Sequence, residues 1–324
     1  MSAGEAAVVP QRGVAARPPG AGDLQQPRRP NWKRRLLIGG AVWIGVTILL
    51  YVLFGNHGRN HSYEPQAEFK LESWVDLGIF SINKAVLYLV IASSLTAGTM
   101  IWIARRMQAR PNKVQTAVEA IYRLMRDDIT GSSMDDSMAR KWFPFVGTLF
   151  LWILFSNLIG YIPLPTNTLD EFTVFGVHVP SFAIYAATAN ISIPLVLALT
   201  VFVSYTFEGV RAKGPIGYLK GLIPGGVRGV TAGILFALEL LSNLTRILSL
   251  TIRLWANILA GHLIILFLAG ALAVLLGISA LGWFTLPFAI LLFAFEVGLV
   301  AALQAFIFAL LTSIYLGGAV AEQH

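Results

Sequence analysis

The chain has 324 residues, of which 56% are hydrophobic and only 13% charged, with a mean hydropathy of +0.69. Soluble domains carry about a quarter charged residues, so this is the composition of a polytopic membrane protein. The net charge of +7 lies in short basic runs beside apolar spans, where the positive-inside rule places them; it is no sign of nucleic-acid binding. The absence of Cys excludes disulfides, thiolate metal sites and Cys nucleophiles. The sequence also lacks a Gly-rich phosphate loop, HExxH and GxSxG, so no catalytic residue, metal or cofactor is expected.

Residues 1–35 are expected to form a disordered, basic cytoplasmic tail, since 1–30 are rich in Pro, Gly, Ala and Arg without apolar periodicity. After "RRPNWKRR" (Arg28–Arg35) comes the apolar run Leu36–Phe54, about one bilayer thickness as a helix. The run is long for a signal peptide and no A-x-A-type site follows it, so 36–54 reads as an uncleaved anchor with its N-terminus inside. An outer loop covers 55–81, and 82–230 holds the next spans. Ile82–Ala104 ends at the basic "ARRMQARPNK"; Phe145–Ile162 runs outward to "YIPLPTNT"; Phe182–Tyr205 returns to the basic "EGVRAKG". Between the first two, Asn112–Thr130 sets Val114, Ala117, Val118, Ile121, Leu124 and Met125 at helical spacing. That pattern predicts an amphipathic helix on the inner surface. Residues 163–181 form a polar outer loop with the strand-like "FTVFGVHV".

The last part, 231–324, is different. Thr231–Leu276 contains no Pro and would measure roughly 69 Å as one helix, against about 30 Å of hydrocarbon. It must break, protrude or tilt strongly. Trp283–Leu316 would measure roughly 50 Å. Together they predict a long, strongly tilted helical hairpin. The fold class is therefore all-α, with about six membrane crossings and both termini in the cytoplasm.

Between Thr231 and Ala321 the only residues charged at neutral pH are Glu239, Arg246, Arg253 and Glu296, and His262 is the one other titratable group of interest. At about 100° per residue, Glu239, Asn243, Arg246, Arg253 and Asn257 fall within about 40° of one line, with Ser242 and Ser249 at its edge. A polar stripe on a membrane helix lines a wet cavity or faces protein. Arg246 is seven residues from Glu239 and fits either a plain ion pair or a channel charge. Arg253 has no acidic residue within ten positions on either side, and a central Arg costs roughly 2.5–3.5 kcal/mol even on lenient insertion scales. Its charge partner is expected on another helix or another subunit. His262 lies about 180° from Arg253, pointing to the second hairpin helix, with Glu296 and Gln304. A His/Glu pair in a wet cleft suits a proton relay, because imidazole titrates nearest neutral pH. Asn157, Asn190 and Pro194 read as packing or kink residues.

"LSLTIRLWANILAGHLI" (Leu248–Ile264) and "LQAFIFALLTSIYL" (Leu303–Leu316) closely resemble subunit a of the F-type ATP synthase, the stator half of its proton channel. "SWVDLGIFSINK" (Ser73–Lys84), "FSNLIGYIP" (Phe155–Pro163) and "TANISIPLVLAL" (Thr188–Leu199) add weaker support, and the likeness runs from about Leu71 to Leu316. The resemblance implies that Arg253 is the essential arginine, Asn257 the asparagine one turn on, and Gln304 the glutamine of the last helix. It places Glu239 and Ser249 in the cytoplasmic half-channel, which Asn243 would help to line, and His262 with Glu296 on the outer side. It also implies a ring of carboxylate-bearing c subunits opposite Arg253, peripheral-stalk b subunits and a catalytic head reached through the stalk; the N-terminus shows no clear transit-peptide pattern, so a bacterial plasma membrane is expected rather than an organelle. Two departures matter. The anchor Leu36–Phe54 and the basic tail are an N-terminal extension to the family's simple bacterial five-span pattern; the other concerns Glu296. The family usually has an acid or His seven residues before the glutamine, whereas here Val297 holds that place and Glu296 is eight before. On a regular helix that turns Glu296 about 80° from Gln304; a local bulge would restore the alignment, or Glu296 reaches the cleft from another angle.

Two other readings compete. A ring-independent channel or secondary transporter predicts internal repeats, and none is visible between the halves. A passive assembly factor leaves the deep arginine without a reason.

Overall fold

The computed structural model describes residues 32–54, 73–76, 81–106, 112–162, 172–174, 177–179, 186–223, 227 and 229–320. The basic tail expected over 1–31, and most of the outer loops expected over 55–81 and 163–181, lie outside the described residues. Among the described residues, six helices are long and apolar enough to cross a membrane, so the all-α polytopic reading holds. The first is α1 (Trp32–Phe54), 23 residues without an acidic side chain.

The spans that follow are α2 (Lys84–Arg106), α4 (Asp136–Gly160) and α5 (Ser192–Lys213). Between α2 and α4, the expected amphipathic segment is α3 (Lys113–Arg123), continued by a π-helical stretch Leu124–Thr130. Asn112 caps α3, its side chain accepting from the Gln115 N–H at 2.8 Å. Among the described residues there are also two short antiparallel strand pairs: β1 (Ser73–Asp76) with β2 (Ser81–Asn83), and β3 (Phe172–Val174) with β4 (Val177–Val179). The second pair falls on the sequence read as strand-like.

Several boundaries differ from the sequence reading; the span expected from Phe182 becomes helix α5 only at Ser192, after a 3-10 turn at Ala187–Ala189. Helix α4 starts nine residues before Phe145, at Asp136, because Asp135 supplies an N-cap bond to the Ser137 N–H. Helix α5 runs to Lys213, beyond the Tyr205 end expected for the span, and takes in most of the basic "EGVRAKG" segment. Glu208 makes this affordable: it is 6% exposed but faces Lys141 of α4 in an ion pair. Gly214, with φ of 72°, then ends the helix, and the short α6 (Pro215–Gly221) follows.

The long C-terminal region is helical throughout but broken. Helix α7 (Val230–Leu266) passes into a π segment Phe267–Ala271, where Gly270 leaves helical geometry, and then α8 (Leu272–Leu276). Gly277 closes α8 in the left-handed conformation. The return limb is α9 (Ser279–Phe295), a π segment Glu296–Val300, and α10 (Ala301–Val320). A break near Gly270 interrupts the over-long first limb, yet α7 alone, with 37 residues, would still measure roughly 55 Å against about 30 Å of hydrocarbon.

Helix α10 packs on α4 and α5, α5 on α7, α2 on α4, and α9 on the π segment at 267–271. Lipid offers little apolar drive between helices, so close approach depends on small residues. Ala301, Ala305 and Ala309 supply them, four apart and fully buried on α10. The three π segments share a feature. Their wider turns leave carbonyls short of helical partners, and a side chain from another helix serves each region. Ser313 donates to Ile129 O at 3.0 Å, Thr285 to Leu268 O at 2.6 Å, and Asn157 to Ala301 O at 3.3 Å. Where no water can replace a lost partner, such bonds also fix helix register.

The Lys141–Glu208 pair generates a test of the α4–α5 contact. Lys141 meets Glu208 Oε1, and Oε2 has no hydrogen-bond partner, so Lys141→Ala strands a buried carboxylate. Thermal unfolding in detergent should show a loss of about 1–3 kcal/mol, and the Lys141→Ala/Glu208→Ala double variant should lose less than the single.

Candidate functional site

The polar stripe of α7 sits at the edge of that helix's packed face. Asn243, Ile247, Leu250, Leu254 and Ile258 are buried against the bundle, while Ser249 and Asn257 are exposed and Glu239, Arg246 and Arg253 lie between. One edge of the stripe therefore contacts protein and the other is open.

At its N-terminal end the stripe borders a cavity of about 280 Å³, lined by Tyr205, Tyr218, Glu239, Asn243, Arg246 and Tyr315. Arg246 and Glu239 form the ion pair anticipated from their spacing, at 3.7 Å and only half-buried. The Arg246 guanidinium also lies over the Tyr315 ring at 5.2 Å, a cation–π contact. Tyr205 donates to the Asn243 side-chain oxygen at 3.1 Å. Three tyrosines, none of them evident as site residues from sequence, make this cavity polar.

Two turns deeper stands Arg253. Its guanidinium donates to Ser249 Oγ at 3.3 Å, and no carboxylate of the described residues lies within ion-pairing distance. One turn on, Asn257 donates to Gln304 Oε1 at 2.8 Å. Gln304 is 3% exposed, so this bond ties α7 to α10 where the two hairpin limbs meet.

The third cluster surrounds Glu296, 8% exposed. The π segment begins at this residue and takes up about one extra residue relative to α-helix. The eight-residue spacing to Gln304 thus turns through about the angle of seven, and both side chains face the packed side. Gly261 of α7 lies directly under the carboxylate: a Cβ there would meet Oε2 at 2.6 Å and Oε1 at 3.0 Å. On the other side, the Tyr161 hydroxyl donates to Oε2 at 3.0 Å.

His262 does not bond the second hairpin limb, contrary to the expectation from its angular position. It reaches the end of α4 instead. Its Nε2 lies 2.7 Å from Gly160 O and its Nδ1 2.8 Å from Ile258 O. A neutral imidazole donates to one of these carbonyls, an imidazolium to both. The ring stacks on Tyr161 at 4.6 Å, so Tyr161 stands between His262 and Glu296. Asn157 serves packing, as read from sequence: it accepts from Thr188 at 2.9 Å and donates to Ala301 O.

Three polar clusters thus follow one another along α7, with Arg253 in the middle. The family profile described as ATP synthase A chain matches residues 86–317. The chain belongs to this family. It is 37% identical over 263 residues to ATP synthase subunit a of Rubrobacter xylanophilus, covering 80% of this chain and 93% of that protein. It is 32% identical over 272 residues to subunit a of Hyphomonas neptunium, covering 81% and 98%. Membership makes it a non-catalytic membrane subunit serving proton transport and ATP synthesis, in association with the c-ring and other synthase subunits.

The Asn257–Gln304 bond should appear as energetic coupling. Asn257→Ala and Gln304→Ala, measured singly and together by thermal unfolding, should be non-additive by about 1 kcal/mol.

Proposed function

We propose that this chain forms two offset half-channels against the c-ring, kept apart by Arg253. The observation that carries the reading is the guanidinium of Arg253. It stands in an apolar helix on an open edge, held only by a hydroxyl among the described residues. Arg remains charged at any accessible pH, so its counter-charge has to come from outside, and a ring carboxylate fits.

The inner half-channel would be the cavity at Glu239, Asn243 and Arg246, extended by Ser249. The outer one would run by His262 and Glu296 toward Asn257 and Gln304. A proton entering from outside neutralises a ring carboxylate, which then rotates through lipid. After nearly a full turn the carboxyl nears Arg253, whose charge lowers its pKa, and it releases its proton to the inner side. The same positive charge repels hydronium and blocks a direct leak between the two cavities. Lys would serve poorly, because a buried ammonium can lose its proton and with it the charge. Each proton contributes about 2.3 kcal/mol per 100 mV of membrane potential, delivered to the head as rotation while the b subunits hold the stator still. The setting is a bacterial plasma membrane with both termini in the cytoplasm.

Removing the charge should uncouple the machine. In vesicles carrying the assembled complex, Arg253→Ala should bring ATP-driven proton pumping to background. Pumping at wild-type rate would exclude this role for Arg253.

A further inference from the structure

The outer cluster contains a group that the half-channel reading does not use. Tyr161 follows the last residue of α4, is 4% exposed, and is anchored by its own N–H to Leu158 O at 3.1 Å. Its ring contacts Phe293 edge-on at 6.3 Å and lies nearly parallel to the His262 ring at 28°. The preceding residue, Gly160, gives its carbonyl to His262 and leaves no room for a side chain, because Ala186 packs against it. The phenol is thus held from both sides, and its hydroxyl meets Glu296 Oε2.

We propose that Tyr161 is a positioning residue of the outer proton path, setting both the carboxyl of Glu296 and the ring of His262; this rests on the half-channel reading above. The hydroxyl is both donor and acceptor. It donates to Oε2 when Glu296 is a carboxylate and still donates to that oxygen, then the carbonyl oxygen, when the acid proton is on Oε1. The group stays oriented through both protonation states, with Oε1 free to take and pass the proton. Gly261 supports the arrangement from below, since a larger residue would displace both oxygens. The titratable groups facing Glu296 among the described residues are Tyr161 from α4 and His262, next to Gly261, from α7. The ring stack ties the last two together, so turning the phenol disturbs both stations of the path.

The test is Tyr161→Phe, which keeps the ring and its stacking and removes only the hydroxyl. In vesicles with the whole complex, proton-driven ATP synthesis is followed against external pH at fixed internal pH. The expected result is a rate about three- to tenfold lower, with the external pH profile displaced by about half a unit or more, while the ring remains bound. A rate and profile matching wild type would overturn the inference. Glu296→Gln in the same assay separates the two failures. If that variant loses synthesis while Tyr161→Phe does not, the positioning role alone fails; if it too matches wild type, the outer path fails and the inference with it. Infrared difference spectra on acidification give a readout independent of turnover. The carboxyl band lost in Glu296→Gln should move in Tyr161→Phe, and an unmoved band would count against the contact.

Discussion

A charge that cannot be given up, placed where the described residues supply no carboxylate, is the constraint on which this molecule depends. Arg253 sits on a helix whose other faces carry Leu, Ile and Ala, and the described residues offer it a hydroxyl, not a carboxylate. Such a helix is stable in a bilayer only if the charged edge meets water or protein. The rest of the bundle serves that condition. The packed side of α7 is fixed by Leu250, Leu254 and Ile258 against the core, and the bond from Asn257 to Gln304 holds the second limb beside it. The open edge is then directed outward as a consequence of how the buried edge packs.

The same economy governs the backbone. Helix interiors satisfy their own polar groups, but the π segments at 124–130, 267–271 and 296–300 do not do so completely. Each region draws a donor from a distant helix, through Ser313, Thr285 and Asn157. An irregularity that would be costly facing lipid becomes a specific contact when it faces another helix. The segment at 296–300 has a second effect, because it turns Glu296 into line with Gln304 and over Gly261.

Much of this was legible in the sequence. Apolar run length gave the six crossings, and the angular stripe on α7 and the Glu239–Arg246 pair followed from spacing alone. The offset of Glu296 was visible too, but choosing between a bulge and a different angle of approach required coordinates, since a regular 3.6-residue period assumes the answer. The partner of His262 was misjudged for a related reason. Angular position says which way a side chain leaves its own helix, not which neighbour stands there, and the neighbour is the end of α4. The tyrosines were hidden because a Tyr in an apolar run is indistinguishable from packing until its hydroxyl is seen to meet Glu296 or Asn243. The end of α5 could not be placed from hydropathy either, for the buried Glu208 depends on Lys141, 67 residues away.

The central claim is that two aqueous cavities approach Arg253 from opposite sides without joining. The chain has no Cys, so single cysteines can be introduced and labelled with a small, membrane-impermeant thiol reagent in sealed vesicles of either orientation, with the ring in place and cysteine-free partner subunits. The account predicts that Cys at Asn243 reacts only from the cytoplasmic side and Cys at His262 only from the outer side. Reaction of either position from both sides would reveal a continuous path past Arg253 and contradict it.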